Sequence, residues 1–280
     1  MIAYFGTGLL GSGFVRKLLE RGETVHVWNR TAAKAQPLEA DGAKIFDDPV
    51  AAVRGAAQLH LTLADDASVD AVLEPLAGVL DASTIVIDHT TTAPTPTGER
   101  VKRWAERGVT YVHAPVFMGP KNARDATGLM LLSGDPAIRE RVKPLVAPMT
   151  GKVVEFGDDP TRAAAFKLLG NMMLFFIVGG LADYFRFAES LGISATEAHA
   201  LFSDFKPGGA IEFRGAAMAR QDFTPQFELT MARKDVRLII EEAGRHGEQL
   251  SVLPAVAALF DRYIEKHGSE DFGVVALTKP

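Results

Sequence analysis

The sequence predicts an α/β domain followed by an all-helical domain, with a long helix joining the two. Apolar runs alternate with amphipathic stretches in the first half, as strands and helices do in a largely parallel sheet with both faces covered. The alternation stops after Gly157, and only helical periodicity follows. Residues 160–191 are long enough for one helix of roughly 45 Å. We therefore predict one domain at residues 1–158 and a second at residues 159–280.

In the first half of the chain, predicted strands and helices alternate, as they do in a sheet of parallel strands. Strands are predicted at residues 2–5, 24–28, 43–46, 59–63, 84–88, 109–112, 129–132 and 153–156. The first-half helices are predicted from residue 9 to Gly22 and at residues 49–55, 68–80, 97–107 and 136–146. The second half is predicted to hold helices at residues 160–191, 195–203, 209–219, 227–246 and 254–266.

The composition excludes several classes of protein. The chain has 280 residues, of which 47% are hydrophobic and 23% are charged, as in ordinary globular proteins. It has no cysteine, and its 7 histidines show no metal-ligand spacing, so we predict no disulfide and no metal site. The net charge of −5 and the lack of a basic run argue against a nucleic-acid partner.

Two stretches of the sequence bear on the cellular location of the protein. Met1 leads directly into a strand-like run, which leaves no room for a signal peptide. The continuous apolar run at residues 168–182 is shorter than the roughly 20 residues of a membrane span. We therefore expect a soluble cytoplasmic protein without a membrane partner.

The first strand is followed by the glycine-rich segment Gly6-Thr7-Gly8-Leu9-Leu10-Gly11 and then by a helix. This is the setting that a dinucleotide-binding fingerprint requires. The first glycine allows a tight turn, the second lets the backbone approach a pyrophosphate, and the third lets the helix pack on the strand. The pyrophosphate would lie at the helix N-terminus, where free N–H groups favour an anion. We therefore predict a Rossmann-type nucleotide-binding domain whose cofactor contacts Gly6, Thr7, Gly8, Leu9 and Leu10.

The second strand is followed by Asn29-Arg30-Thr31, where an NAD-preferring site would carry an acidic residue. An arginine there can hold a 2′-phosphate through charge-assisted hydrogen bonds. Thr31 can donate a hydroxyl or cap the next helix, and Lys34 lies one turn further on. The alternative is a solvated arginine beside a helix cap. We predict that Asn29, Arg30, Thr31 and Lys34 bind the cofactor and that NADP(H) is preferred over NAD(H).

Further cofactor residues are predicted where later strands end, because ligands of parallel sheets bind at the carboxyl edge. Leu63 and Ala64 follow one such strand, and Thr90 follows the next. The Thr90 hydroxyl is expected near a nicotinamide ribose, or else it caps the helix that follows Pro94.

Lys167 and Asn171 lie four residues apart in the long predicted helix and therefore share one face. The run at residues 168–182 is apolar on every side except Asn171, so a soluble protein must bury it all round. An ammonium and an amide on such a helix are costly unless they are used or hydrogen-bonded. The alternative is a lysine that only extends to water from the end of a structural helix.

These motifs, in this order, resemble the β-hydroxyacid dehydrogenase family, which includes 3-hydroxyisobutyrate dehydrogenase and the glyoxylate/succinic semialdehyde reductases. The resemblance rests on five segments: the glycine fingerprint with residues 29–31, residues 88–91, Ala114-Pro115-Val116 leading to Gly128, Lys167 with Asn171, and Lys234-Asp235-Val236. It implies that Lys167 is the catalytic acid/base and that Asn171 helps to hold the substrate. It also implies that Lys234 lines the cofactor and substrate cleft.

One loop departs from the family pattern, which usually reads Ala-Pro-Val-Ser-Gly-Gly and binds the substrate carboxylate. Here the segment continues as Phe117-Met118-Gly119, and Phe117 has no hydroxyl and would crowd a small carboxylate. Backbone amides near Met118 and Gly119 could still bind the substrate, as could Lys121 or Asn122. A larger or more apolar substrate is therefore an alternative to a C3–C4 hydroxyacid.

The resemblance implies an NADP-dependent oxidoreductase that acts on a hydroxyacid or semialdehyde. The first alternative is an imine reductase-like enzyme, since imine reductases share this architecture, although they usually replace the lysine that this chain keeps at Lys167. The second is a nucleotide-binding protein that keeps the fold without turnover. A homodimer, or a higher even oligomer, built through the long helix is also expected, because one helical domain cannot cover every face of the apolar run.

Overall fold

The computed structural model describes residues 1–279, and the chain divides into two compact units, Met1–Asn171 and Met172–Pro280. The first unit contains nine strands: β1 (Ile2–Phe5), β2 (Val25–Trp28), β3 (Lys44–Phe46), β4 (Gln58–Leu61), β5 (Ile85–Asp88), β6 (Thr110–His113), β7 (Val116–Phe117), β8 (Leu129–Leu132) and β9 (Lys152–Glu155). Its helices are α1 (Leu9–Glu20), α2 (Pro49–Val53), α3 (Asp66–Leu73), α4 (Pro94–Glu106), α5 (Pro120–Asp125) and α6 (Pro136–Val146). Helix α7 (Arg162–Ser190) begins in the first unit and ends in the second.

Six strands form a fully parallel sheet in the order β3-β2-β1-β4-β5-β6, which confirms the α/β prediction. Alternate side chains of β1 point to opposite faces, as in any strand. Tyr4 belongs to the apolar core on one face, and Phe5 belongs to the core on the other. In the register, Phe5 lies beside Trp28 and Leu61, so β1, β2 and β4 end at one level. Their carboxyl ends therefore form a common edge.

The strands predicted at residues 129–132 and 153–156 do not extend this sheet. They form a separate three-stranded sheet in the order β7-β8-β9, with β7 antiparallel to β8. Neither β7 nor helix α5 was predicted, because two and six residues are too short for a periodic signal. The chain leaves the main sheet after His113, and Pro115 has no N–H with which to continue a ladder.

Helix α7 confirms the predicted long helix, but the chain itself does not bury the apolar run. Phe175, Phe176 and Val178 are 69%, 61% and 64% exposed, and every residue from 172 to 178 is exposed. The length and composition of α7 are sufficient for a membrane span. The sequence instead predicts no span, because the continuous apolar run at residues 168–182 is shorter than the whole helix. One such helix is weak evidence, since a helix from the core of a soluble protein passes the same test.

The second unit is helical, as predicted, with α8 (Ala195–Ala200), α9 (Gly209–Ala219), α10 (Leu229–Arg245), α11 (Leu253–Asp261) and α12 (Ile264–His267) after α7. Buried Asp183 on α7 accepts hydrogen bonds from the backbone N–H groups of Ser251, Val252 and Leu253 at 2.7–2.8 Å. These bonds satisfy N–H groups at the start of α11 that would otherwise have no helical partner. Asp183 therefore attaches α11 to the long helix.

Candidate active site

The glycine turn between β1 and α1 has the geometry that a pyrophosphate site needs. Gly6 has φ +94°, and a Cβ atom there would lie 2.1 Å from the Thr62 carbonyl oxygen. A Cβ atom at Gly11 would lie 2.0 Å from the Gly6 oxygen, so α1 packs directly on the turn. A Cβ atom at Gly8 would meet nothing within 4 Å, which leaves space for a ligand beside the backbone. No side chain caps the N-terminus of α1, so its N–H groups are available to an anion.

Asn29 connects this turn to the loop after β2. Its Oδ1 accepts a hydrogen bond from the Thr7 N–H at 3.0 Å, and its Nδ2 donates to the Thr31 carbonyl oxygen at 2.8 Å. The side chain thus positions the two loops that would hold the cofactor. The Thr7 hydroxyl is buried and has no hydrogen-bond partner among residues 1–279, as expected for a group that bonds to a ligand.

Arg30, Thr31 and Lys34 line a cleft of about 710 Å³ at the carboxyl edge of the sheet. The side chains of Arg30 and Lys34 are exposed and make no hydrogen bond or ion pair with any residue that the structure describes. Two unpaired cations beside an uncapped helix N-terminus favour a polyanionic ligand. The residues present therefore fit a nucleotide with an additional phosphate.

The same cleft contains residues that sequence reasoning missed. Glycine-loop residues and Leu63 and Ala64 line it, as predicted, and the additional residues are Trp28, Pro49, Thr62, Ser68, Ala71, Val72 and Pro75. Ser68 and Val72 lie four residues apart on α3 and share one face of that helix. Ser68 and Val72 lie on the helix that follows β4 at the carboxyl edge of the sheet, and this position was the signal that could have identified them.

Thr90 is buried, and its oxygen accepts a hydrogen bond from the Leu63 N–H at 2.9 Å. Its own N–H donates to Asp88 Oδ1 at 2.9 Å. Thr90 therefore ties the end of β4 to the end of β5 and holds Leu63 at the cleft. Thr91 beside it is exposed. The predicted contact of Thr90 with a ribose remains a prediction.

The structure brings Lys167, Asn171 and Phe117 into direct contact. The Lys167 ammonium donates to Asn171 Oδ1 at 2.9 Å, one turn along α7. It also lies 4.3 Å from the centre of the Phe117 ring, a distance at which a cation is attracted to the π face. Lys167 is only 9% exposed, so it is not a side chain that extends freely into water. Burial lowers the pKa of Lys167 below its ordinary value of 10.5.

No carboxylate of residues 1–279 forms an ion pair with Lys167. A buried lysine normally needs such a partner to balance the cost of desolvation. Lys167 instead has a neutral amide and an aromatic ring, which leave part of its donor capacity for another oxygen.

Lys234 lies on α10 in the second unit, apart from the residues described so far in sequence. Its ammonium is 2.8 Å from Asp235 Oδ1, and the side chain is 42% exposed. The predicted contact of Lys234 with cofactor and substrate remains a prediction.

Two known protein families together match almost the whole chain. Residues 1–157 match the family described as the NAD binding domain of 6-phosphogluconate dehydrogenase. Residues 162–280 match the family described as NAD-binding of NADP-dependent 3-hydroxyisobutyrate dehydrogenase. By the first match, which covers more than half of the chain, it belongs to the family of the NAD binding domain of 6-phosphogluconate dehydrogenase. The resemblance drawn from its motifs is thus confirmed, and the protein is an NAD(P)-dependent oxidoreductase by family.

Individual relatives span nearly its full length. An uncharacterized oxidoreductase, YfjR of Bacillus subtilis, is 28% identical over 282 residues, which is 99% of this chain and 98% of that protein. The 2-(hydroxymethyl)glutarate dehydrogenase of Eubacterium barkeri is 25% identical over 91% of this chain and 86% of its own length. Among solved structures, an imine reductase from Myxococcus stipitatus in complex with NADP+ superposes with a TM-score of 0.92. It covers 98% of both chains at 20% identity and shows that the fold is shared.

Proposed function

We propose that the protein is an NADP(H)-dependent dehydrogenase or reductase that interconverts a carbonyl group and an alcohol, of the hydroxyacid or semialdehyde type. The observation that carries this proposal is the almost buried Lys167 ammonium, which has no carboxylate partner among residues 1–279. A group of this kind is suited to donate a proton to an oxygen on which negative charge develops.

Each residue then has a defined role. When bound, the reduced nicotinamide supplies a hydride, and with it two electrons, to the carbonyl carbon. Lys167 supplies the proton to the carbonyl oxygen, so the carbonyl group gains two hydrogens and becomes an alcohol. Asn171 accepts one N–H of the ammonium and thereby directs the others. In the oxidative direction Lys167 must first lose a proton, which its lowered pKa assists.

The proposal is tested by NADPH oxidation over a panel of semialdehydes, ketoacids, simple ketones and cyclic imines. Product analysis distinguishes an alcohol from an amine. Turnover of carbonyl compounds supports the proposal. Tight NADPH binding without turnover of any compound would contradict it and would indicate a nucleotide-binding protein that does not catalyse.

Reduction of a carbon–nitrogen double bond is the second candidate. It is favoured by the apolar Phe117 ring beside the proposed acid, a surface that a cyclic imine would fit. Lys167 disfavours it, because an iminium ion and an ammonium repel one another at contact distance. We therefore rank carbonyl reduction first, and a higher kcat/KM for cyclic imines than for matched ketones would reverse this order.

NADP(H) should bind more tightly than NAD(H), because Arg30, Thr31 and Lys34 line the cleft and the two cations have no competing ion pair. A charge-assisted contact of about 1.5–3 kcal/mol corresponds to a preference of roughly tenfold or more. Dissociation constants for both cofactors can be measured by fluorescence titration. The variant Arg30→Ala should lose most of this preference by weakening NADP(H) alone.

Lys44→Ala, an exposed lysine on β3, provides a matched loss of positive charge. It should leave both dissociation constants close to their original values. Equal affinities for the two cofactors in the unmodified protein would contradict the proposed preference.

We also propose that residues 159–280 form a substrate and dimerisation domain and that two copies associate through α7. All residues from 172 to 178 are exposed, so apolar side chains lie on every side of the helix and a single flat contact would not cover them. A second copy presents the same apolar surface and can pair with it around a twofold axis. Such a dimer would keep the protein in the cytoplasm instead of in a membrane.

Sedimentation at low micromolar concentration should therefore show a dimer or an even multiple of it. Phe175→Asp, which places a charge on the apolar surface, should shift the distribution towards monomer. A monomer at every concentration, or recovery of the unmodified protein with membranes, would contradict the proposal.

A further inference from the structure

Phe117 lies in a space that exists because residue 170 is a glycine. A Cβ atom at Gly170 would be 2.2 Å from Phe117 Cζ and 2.6 Å from Cε1, so the ring lies against the backbone of α7. A glycine inside a helix is unfavourable relative to alanine, so its presence here has a packing reason. The same ring lies 4.3 Å from the Lys167 ammonium. An apolar wall is thus fixed directly beside the proposed proton donor.

In the neighbouring loop, the polar side chains and the Gly119 amide that could have bound a carboxylate are already engaged. The Gly119 N–H donates to Asn122 Oδ1 at 2.9 Å, and Asn122 Nδ2 donates to Thr127 Oγ1 at 3.0 Å. Lys121 is paired with Asp125, and its side chain is 88% exposed. These bonds lie along α5 and at its two ends, and they hold the loop in its conformation.

The Met118 N–H has no backbone or side-chain acceptor among residues 1–279, and the first turn of α5 adds only the neutral N–H groups of Lys121 and Asn122. A carboxylate there would have no unpaired cation of the loop as a partner, because the Lys121 ammonium is paired with Asp125, and its desolvation would be costly. A substrate carboxylate would instead compete with the reacting oxygen for Lys167, since that ammonium is the cation next to the Phe117 ring.

We propose that Phe117, seated on Gly170, is a specificity-determining residue and that the site selects carbonyl substrates carrying an apolar group in place of a carboxylate. This inference rests on the proposed interconversion of a carbonyl group and an alcohol, and it revises the hydroxyacid or semialdehyde type of substrate proposed above. The apolar group contacts the ring, and the carbonyl oxygen alone occupies Lys167. The hydroxyacid type of substrate is then a poor one, whereas simple aldehydes and ketones are good ones.

Matched substrates test this directly. Succinic semialdehyde and butanal differ by a carboxylate in place of a methyl group, and pyruvate and 2-butanone differ by a carboxylate in place of an ethyl group. In each pair kcat/KM should be at least tenfold higher for the uncharged member. Phe117→Ser should reduce this ratio by about tenfold or more, whereas Phe117→Leu, which keeps an apolar wall, should largely preserve it.

Gly170→Ala should act in the same direction as Phe117→Ser, because its methyl group displaces the ring. The NADPH dissociation constant and the melting temperature of each variant show that it is folded. A wild-type preference for the carboxylates would overturn the inference while leaving the proposed reductase function intact, and so would a ratio that Phe117→Ser does not change. No reduction of either pair by folded, NADPH-binding protein would overturn both.

Discussion

Replacing Lys167 with arginine should lower kcat by 10²–10⁴-fold, the usual contribution of a general acid–base residue. Arginine keeps the positive charge but is a very poor acid near neutral pH. The loss should appear equally in kcat and kcat/KM, because the proton is needed in the transition state, and the NADPH dissociation constant should change little. Lys102→Arg, an exposed lysine on α4, is the matched control and should retain full activity.

The pH dependence of reduction provides a second measurement on the same residue. Reduction needs protonated Lys167, so kcat should fall as pH rises through the pKa of this lysine, which burial places below 10.5. This limb should be absent from the residual activity of Lys167→Arg. Near wild-type turnover by Lys167→Arg would show that Lys167 acts only by its charge.

The free energy of unfolding of the first unit should begin to fall at pH values well above those at which carboxylates titrate, because several of its histidines are buried. Burial lowers the pKa of His89 to about 4, and it also lowers the pKa values of His60 and His113. These rings are neutral in the folded protein but protonated in the unfolded chain below pH 6.5. The free energy of unfolding therefore falls as pH falls from about 7, and His89 alone accounts for about 2 kcal/mol between pH 7 and pH 5.

The hydrogen bonds of His89 explain why protonation of its second ring nitrogen, which would give the ring a positive charge, is unfavourable. Its Nδ1 lies 2.8 Å from the Ala114 carbonyl oxygen and must donate to it, so Nε2 of the neutral ring is an acceptor. Nδ1 of His60 lies 3.0 Å from that Nε2 and donates in turn. Protonation of His89 would place two N–H groups opposite one another in a buried space.

Urea unfolding at pH 7 and pH 5 measures the effect. His89→Asn retains a donor for the Ala114 oxygen but does not titrate, so it should flatten the difference by about 2 kcal/mol. His199→Asn, at an exposed position on α8, should leave the difference unchanged. Stability that is equal at pH 7 and pH 5 in the unmodified protein would contradict the prediction.

The sequence by itself determined those features that depend on neighbouring residues. The roles of Gly6, Gly8 and Gly11 follow from the backbone geometry of a strand–turn–helix segment. The four-residue spacing of Lys167 and Asn171 placed them on one helix face, and the structure joins them by a hydrogen bond. Periodicity likewise predicted the parallel sheet and the long helix, because alternation and helical repeats are local patterns.

Only the tertiary structure decided which of these side chains are still free to bind. Asn29 and Thr90 are engaged with Thr7 and Leu63, and the Gly119 amide is engaged with Asn122. The separate sheet of β7, β8 and β9 also could not be predicted, since strand pairing joins segments that are distant in sequence. The contact of Phe117 with Gly170 and Lys167 arises in the same way, because packing between β7 and α7 leaves no periodic signal in either segment.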